Sequence, residues 1–147
     1  MLFSEWLGKL YTIDQYLQEC IAPVCKEYHL SGSEMTVLLF LHNNPDKNTA
    51  TDIIKYSRMA KANISKAVEH LIRRDLLVRT RDAYDRRVVH LCLTETAACI
   101  MPDLLGAAEQ YLCGVFADFT SEEMRTFSEF HSRMAANAES RMQKKGK

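Results

Sequence analysis

Residues 79–94, RTRDAYDRRVVHLCLT, carry four arginines and two aspartates on what reads as a single β-hairpin. An apolar run alternates into the first arginines, residues 82–85 have the composition of a turn, and the chain returns with Val89, Leu91 and Leu93 at every second position. Alternation around a polar turn is typical of two antiparallel strands that bury one face. The stretch therefore predicts a two-stranded hairpin whose tip is rich in arginine.

The segment before the hairpin predicts two short helices joined by a tight connection. Thr49 and Asp52 have the spacing of a capping box at the start of one, and a second runs over about residues 60–74 with apolar residues at helical spacing. Such a pair describes a helix-turn-helix, whose second helix has the size and polarity to enter a DNA major groove. The candidates for contacts with bases and phosphates are Lys61, Ala62, Asn63, Ser65 and Lys66. On helical patterns alone, an ordinary amphipathic hairpin stays the alternative.

A hairpin directly after a helix-turn-helix is a winged arrangement, and its tip carries a second set of candidate DNA contacts. Asp85 and Arg87 are close enough in sequence to pair, so that the carboxylate would hold the guanidinium in one orientation. A fixed arginine suits a narrow, electronegative minor groove. We therefore predict wing contacts from Arg81, Asp85, Arg86 and Arg87, with a purely structural ion pair as the alternative.

The distribution of charge favours a polyanionic partner although the chain is neutral overall. Residues 55–90 hold ten Lys and Arg against four Asp and Glu, a net charge of +6, while the remaining nine basic and fifteen acidic residues give −6. A basic block of this kind draws polyanions toward one surface whatever the isoelectric point of the whole chain. A solvated basic face without a partner is the other interpretation.

The rest of the chain predicts long helices with apolar stripes. Residues 1–29 carry apolar side chains every three or four positions, and we expect Pro23 to end or kink this first helix. Ser31 and Glu34 have the spacing of a capping box, which predicts a second, shorter helix after it. A further helix opens at Thr94, with a kink expected at Pro102, and the last one opens at Thr120. These helices carry more apolar surface than a winged domain can cover, which favours a homodimer over an intramolecular three-helix bundle.

Composition and motifs exclude several other classes of protein. No run of about 18 apolar residues exists and the first ten residues, with Glu5, lack a small-residue cleavage site, so we expect no membrane span, no signal peptide and a cytoplasmic location. The absence of a Gly-rich phosphate loop, a nucleophile elbow or a paired carboxylate motif predicts no enzymatic activity and no cofactor. Cys25 and His29 lie four apart on a helix, but two ligands do not make a metal site, and we predict none.

Three stretches resemble the winged-helix core of the MarR family of transcriptional regulators. They are NISKAVEHL at residues 63–71, RDLLV at 74–78 and, above all, DRRVVHLCLTE at 85–95. The resemblance implies an obligate homodimer whose first and last helices form the interface, and whose two recognition helices dock on an inverted repeat. It also implies that the start of the recognition helix reads bases and that the Asp–Arg pair belongs to the wing.

The chain departs from the family pattern in two turns. The family usually has an apolar residue and then glycine between the two helices of the helix-turn-helix, where this chain has Ser57 and Arg58. It also favours glycine at the position of Asp75. The angle between the two helices is therefore the part of the motif that the sequence supports least.

The resemblance further implies an effector, since members of the family respond to small aromatic ligands, to oxidants through a cysteine, or to metals. Tyr11, Tyr16 and Tyr28 are the candidate ligand contacts, with plain core packing as the alternative. Cys20 and Cys25 are the candidates for oxidation, although the five scattered cysteines fit reduced, mostly buried thiols and nothing in the sequence indicates a lowered thiol pKa.

The predicted fold is mainly α with a small two-stranded β wing, formed as a single MarR-like domain over residues 1–147. A winged helix-turn-helix lobe is expected at 30–95, with helical dimerisation regions at 1–29 and 96–147. The predicted function is a sequence-specific transcriptional regulator, a repressor that binds an inverted-repeat operator in double-stranded DNA as a homodimer and is released by a small-molecule ligand. The alternatives are a redox-responsive regulator that senses through one of the two named cysteines, and a dimeric helical interaction module without specific DNA binding.

Overall fold

The computed structural model describes residues 2–143 and confirms a fold that is mainly α with a small two-stranded β wing. Within them the elements follow in this order: α1 (Phe3–Glu27), α2 (Gly32–Asn43), α3 (Ala50–Ser57), α4 (Lys61–Arg73), β1 (Leu77–Arg81), β2 (Val89–Leu93), α5 (Glu95–Val115) and α6 (Ser121–Gln143). None of the helices in this part of the chain combines the length and the apolar content that a membrane span needs.

The chain forms two compact units, one that ends at Tyr111 and one that begins at Leu112. The first unit holds α1 to α4, the hairpin and most of α5, and the second holds the end of α5 and α6. The limits of the winged lobe at 30–95 and of the flanking dimerisation regions stay predictions.

Capping boxes begin α2 and α3, at the positions that the sequence predicts. At α2 the amide of Glu34 donates to the Ser31 hydroxyl at 3.1 Å, and the amide of Ser31 donates to the Glu34 carboxylate at 2.8 Å. At α3 the amide of Asp52 donates to the Thr49 hydroxyl at 3.1 Å, and the amide of Thr49 donates back at 3.2 Å. Each box satisfies two backbone donors and fixes the residue at which the helix starts.

The two turns that lack the family's glycine both adopt the left-handed conformation. Arg58, between α3 and α4, has φ 61°, and Asp75, after α4, has φ 55°. The amide of Asp75 donates to the Ile72 carbonyl at 3.0 Å and the amide of Leu76 to the Leu71 carbonyl at 2.9 Å, which closes the end of α4. The helix-turn-helix therefore forms without glycine, at the cost of backbone strain at Arg58 and Asp75.

One apolar core holds the first unit together. Its largest fully buried side chains come from α2, α3, α4, β1 and α5: Val37, Leu38, Ile53, Ile64, Leu71, Leu77 and Leu104. Burying a side chain of this size contributes about 1.5–3 kcal/mol relative to leaving it in water. This core fixes the rotation of α4 about its own axis, and thereby decides which of its side chains point to solvent.

Of the two outcomes expected at Pro23, an end or a kink of the first helix, the structure excludes the end. α1 continues through Pro23 to Glu27. Proline lacks the N–H that the carbonyl of Glu19 would accept, but both residues are exposed, so water can satisfy that carbonyl. Pro102 lies inside α5, and the kink expected there stays a prediction.

The second unit is built on aromatic contacts and a third capping box. The rings of Phe116 and Phe127 meet edge-on at a centroid distance of 5.1 Å, and Phe127 stacks on His131 at 5.4 Å. The amide of Glu123 donates to the Thr120 hydroxyl at 3.2 Å and starts α6 one residue after that threonine. Much of the apolar stripe of α6 is exposed, which leaves it available for a partner.

Candidate nucleic-acid interface

The five residues predicted on the recognition helix all lie on the exposed face of α4. Lys61, Ala62, Asn63, Ser65 and Lys66 point to solvent. The intervening side chains of α4 face the core instead: Ile64, Ala67, Val68 and Leu71 are buried. Because α4 presents polar and basic side chains on one side and apolar ones on the other, it offers a face about the width of a major groove.

The N-terminus of α4 is open. Ala60 precedes the helix and makes no side-chain cap, and the first turn contains no acidic residue. An uncapped helix start presents backbone N–H groups and the positive end of the helix dipole, which together bind phosphate well. Lys61 adds a full positive charge at the same end.

A cavity of about 650 Å³ lies between the start of α2 and α4. Two recognition-helix candidates, Asn63 and Lys66, line it, and Arg73 and His29 add further basic side chains. Ser31 and the start of α2 lie on the opposite wall. Lys66 and Arg73 thus give the cavity two positive charges against the single carboxylate of Glu34.

Glu34 joins the two walls of this cavity. It is the only buried charged residue among those that the structure describes, with 4% of its surface exposed. One carboxylate oxygen closes the capping box of α2 and the other contacts Nδ1 of His70 on α4. This contact ties the recognition helix to α2, and the sequence did not reveal it because the two residues lie far apart in the chain.

The wing pair is present with bidentate geometry. Nε of Arg87 donates to Oδ1 of Asp85 and a terminal guanidinium nitrogen donates to Oδ2, both at 3.1 Å. The amide of Arg87 also donates to Oδ1 at 3.0 Å. These bonds from Arg87 lower the pKa of the Asp85 carboxyl. The Arg87 side chain is 91% exposed, so the carboxylate orients the guanidinium without burying it.

The arginines of residues 79–94 do not all lie at the wing tip, which we define as residues 82–88. Arg79 lies on β1 and forms an ion pair with Glu69 of α4. Arg81 and Arg86 are exposed and form no ion pair with any residue that the structure describes. The hairpin thus offers Arg81, Arg86 and Arg87 to a partner, while Arg79 attaches the hairpin to α4.

Not every basic residue of the 55–90 block faces solvent for binding. Arg74 donates to the carbonyls of Tyr28 and His29 at 2.5 and 2.8 Å and so caps the end of α1. Lys61, Lys66 and Arg73 of α4 are exposed. The block therefore divides into residues that build the lobe and residues that remain available to a polyanion.

A second polar network supports the wing tip, and sequence reasoning missed it. Nε2 of His90 lies 3.0 Å from Oδ2 of Asp82, and Nδ1 lies 2.5 Å from Oδ1 of Asn48, which precedes α3. The other Asp82 oxygen accepts the amides of Tyr84 and Asp85, both at 2.8 Å. The His90 contact and these amides lower the pKa of Asp82 to about 2. Asp82 at the start of a turn was the available signal, because aspartate there commonly accepts backbone amides.

The three tyrosines predicted to bind a ligand have different surroundings. The Tyr28 hydroxyl donates to Asp103 of α5, and this bond is the main cause that raises the pKa of Tyr28 to about 12. The Tyr16 ring lies 6.0 Å from that of Tyr111, and Tyr11 is exposed. Tyr16 and Tyr28 thus face α5 through different partners, and a shared ligand contact stays a prediction.

The two cysteines that were candidates for oxidation differ in their surroundings. Cys20 is buried. Cys25 is partly buried beside Met35, and its desolvation, with a further effect of Glu34, raises its thiol pKa. All five cysteines are free thiols, and residues 2–143 contain no cluster of three or more His, Cys, Asp or Glu side chains that could hold a metal ion.

Comparisons with known proteins agree with this geometry. The model of the MarR family matches residues 29–88, from the end of α1 to the wing tip. An uncharacterised HTH-type transcriptional regulator of Bacillus subtilis, YwhA, is 28% identical over 134 residues, which are 91% of this chain and 93% of that protein.

Solved structures share the fold at low sequence identity. A MarR protein from Peptoclostridium difficile superposes with a TM-score of 0.79 at 22% identity, over 98% of this chain and 94% of that one. The Staphylococcus aureus protein MepR, in a complex with DNA, superposes with a TM-score of 0.77 at 17% identity, over 93% and 96% of the two chains. The family model matches the residues that build the helix-turn-helix, β1 and the wing tip, so this part of the chain is similar to the MarR family of transcriptional regulators.

Proposed function

We propose that the protein binds an inverted-repeat operator in double-stranded DNA as a homodimer and represses transcription from it. The observation that carries the proposal is the exposed basic face of α4, attached through Arg79 and Glu69 to a wing that presents an oriented Arg87. A helix face of this kind addresses base edges in the major groove, and an oriented arginine beside it suits the adjacent minor groove.

Each group of exposed side chains has a specific task in this proposal. Asn63 and Ser65 read base edges, because amide and hydroxyl groups match the donors and acceptors of the major groove. Lys61, Lys66 and the open start of α4 bind phosphates and set the register of the helix on the duplex. Arg87 enters the minor groove, where phosphates on both sides strengthen the negative potential.

The homodimer is supported by apolar side chains that each unit leaves in water. On α1 and just before it, between 66% and 73% of the surface is exposed at Leu2, Phe3 and Tyr11. On α6, Phe130 is 54% exposed and Met134 49% exposed. Helices with apolar faces of this kind are covered most simply by a second copy of the same chain, and a two-fold dimer reads an inverted repeat.

Repression and release complete the proposal. A dimer bound across an operator blocks access to the DNA beneath it, and this takes place with the chromosome, in the cytoplasm. Release is by a small aromatic ligand held near α1 and α5, where the Tyr16 and Tyr111 rings provide an apolar surface and the Tyr28–Asp103 bond provides polar groups. Oxidation of a cysteine is a weaker route, because Cys20 is buried and desolvation raises the pKa of the Cys25 thiol.

The test is capture of genomic DNA followed by a titration. Fragmented DNA from the source genome is incubated with the protein at near-physiological salt, and the retained fragments are sequenced. We expect enrichment of an inverted repeat with half-sites about one helical turn apart. Affinity for that repeat, measured by fluorescence anisotropy, should fall with salt at a slope of about −0.9 per phosphate contact.

A matched pair of variants separates operator binding from general electrostatics. Lys66→Ala removes a charge from the exposed face of α4, whereas Lys9→Ala removes the same charge from an exposed position on α1. We expect only Lys66→Ala to weaken binding and reduce the salt slope. No enriched sequence, or equal effects of both variants, would instead support a dimeric interaction module without specific DNA binding.

A further inference from the structure

The outer half of the wing has almost no apolar contact with the rest of the first unit. Leu77 of β1 and Leu91 of β2 are buried in the core, but the four β1 residues that follow Leu77 are exposed. At the tip, Tyr84 is 100% exposed. Because burial does not fix the outer hairpin, polar contacts must set its direction.

Two polar contacts connect the hairpin side chains to the body of the lobe. Arg79 pairs with Glu69 of α4, but about half of each side chain is exposed, and ion pairs of that kind contribute little to stability. The second contact runs through His90, which is only partly exposed and has an oxygen within hydrogen-bonding distance of each ring nitrogen. His90 is therefore the better defined of the two attachments.

The His90 contact continues to the DNA-facing arginine. Asn48 anchors the ring at Nδ1, and Asp82 contacts it at Nε2. Asp82 also accepts the amide of Asp85, whose carboxylate in turn orients Arg87. A continuous chain of hydrogen bonds thus leads from the segment before α3, through His90, to the Arg87 guanidinium.

We propose that His90 is a positioning residue for DNA binding, which fixes the wing tip to the segment before α3 and so sets where Arg87 lies relative to the recognition helix. Its side chain is occupied by Asn48 and Asp82 and does not itself need to touch DNA. The part of this inference that concerns operator affinity rests on the proposed function.

Loss of the His90 contacts should free the wing tip without detaching the wing. The amide of Leu91 donates to the Asn48 carbonyl at 2.7 Å, and this backbone bond holds β2 beside the segment before α3 whatever stands at position 90. Leu91 also stays buried in the core. Without the His90 side chain, the tip must become ordered when DNA binds, and the conformational entropy lost in this step lowers the affinity.

The first measurement uses the protein without DNA. His90→Phe keeps a planar ring and removes both ring nitrogens, His90→Gln keeps a donor near the position of Nε2, and Thr80→Val is the matched control. Thr80 pairs with His90 across the hairpin, and its hydroxyl faces only Cys92 at 3.9 Å. We expect His90→Phe to accelerate hydrogen exchange of the Tyr84 and Asp85 amides without changing Tm. His90→Gln should largely restore the protection of these amides, and Thr80→Val should leave their exchange rates unchanged. Unchanged exchange in His90→Phe would overturn the proposal.

The second measurement is a double-mutant cycle on operator affinity. We expect His90→Phe to weaken binding about fivefold, as loss of one or two hydrogen bonds would, and to have no further effect in the Arg87→Ala background. An equal loss in both backgrounds would mean that His90 acts through general stability and would overturn the proposal. If the unaltered protein bound no operator, the proposed function and the role of His90 in it would both fall, and the exchange rates would still report whether His90 holds the tip.

Discussion

Replacing Arg87 with alanine isolates the contribution of the wing to operator binding. The guanidinium is 91% exposed and its only partner within the described residues is the adjacent Asp85, so its removal takes no buried surface from the fold. Asp85 is left to accept the amide of residue 87, which holds it in the tip. The substitution should therefore leave Tm nearly unchanged and act on DNA affinity alone.

The expected loss follows from the geometry of the pair. A bidentate bond fixes the guanidinium before DNA arrives, so little side-chain entropy is lost on binding, and a groove contact of this kind is worth roughly 1–3 kcal/mol. Arg87→Ala should then weaken operator affinity roughly five- to 150-fold. Asp85→Asn should give an intermediate loss, because it leaves the arginine in place but weakens the bond that orients it.

The assay is fluorescence anisotropy with a labelled operator duplex at several salt concentrations, and the matched control is Arg86→Ala. Arg86 is also exposed but no carboxylate orients it. We expect the Arg86 variant to lose less affinity, equally for every DNA sequence, with a salt slope reduced by about 1. Unchanged affinity of Arg87→Ala, or identical losses and salt slopes for the two variants, would refute the argument that the pair with Asp85 gives the contact its strength.

Three further predictions concern the supports of the interface. Arg58→Gly should raise the free energy of unfolding by about 0.5–1 kcal/mol, because glycine relieves the left-handed strain between α3 and α4, and a lower value in urea titrations would contradict this. Glu34→Gln should lower that free energy by roughly 1–3 kcal/mol through loss of a buried, charged hydrogen-bonding partner of His70; a change below about 0.5 kcal/mol would contradict it. The folded pKa of Asp82 is lowered to about 2, so its stabilisation of the wing tip is complete above the ordinary aspartate pKa and is lost as pH falls toward 2. The NMR shifts of the Tyr84 and Asp85 amides, which Asp82 accepts, should therefore titrate near pH 2. A midpoint near pH 4, about the ordinary aspartate value, would contradict this.

The elements of the lobe could be predicted from the sequence because each has a local signature. The capping boxes at Ser31 and Thr49 set the starts of α2 and α3 within one residue, and the alternation at 89–93 predicted β2. The exposed face of α4 followed from helical spacing alone, since the core-facing positions of an amphipathic helix determine the others.

The errors arose where a local rule competes with solvent or with a distant partner. Pro23 does not end α1 because the carbonyl that it deprives of a donor belongs to exposed Glu19. Arg79 was grouped with the arginines of the wing tip, but its partner Glu69 lies on a different element. Counting charge along the chain located the basic surface and could not separate arginines that bind a partner from arginines that hold the lobe together.

The candidate interface depends on two kinds of contact that a sequence reveals unequally. Burial of Ile64 and Leu71 fixes the rotation of α4, and burial is periodic in the sequence, so the exposed face of α4 could be predicted. The direction of the wing depends on hydrogen bonds of His90, which pair residues that no period relates. Hydrogen bonds between exposed or half-exposed groups contribute little to global stability but restrict orientation strongly. The wing can therefore change its reach through single polar substitutions that leave the fold intact, while the same number of substitutions on the buried face of α4 would unfold the lobe.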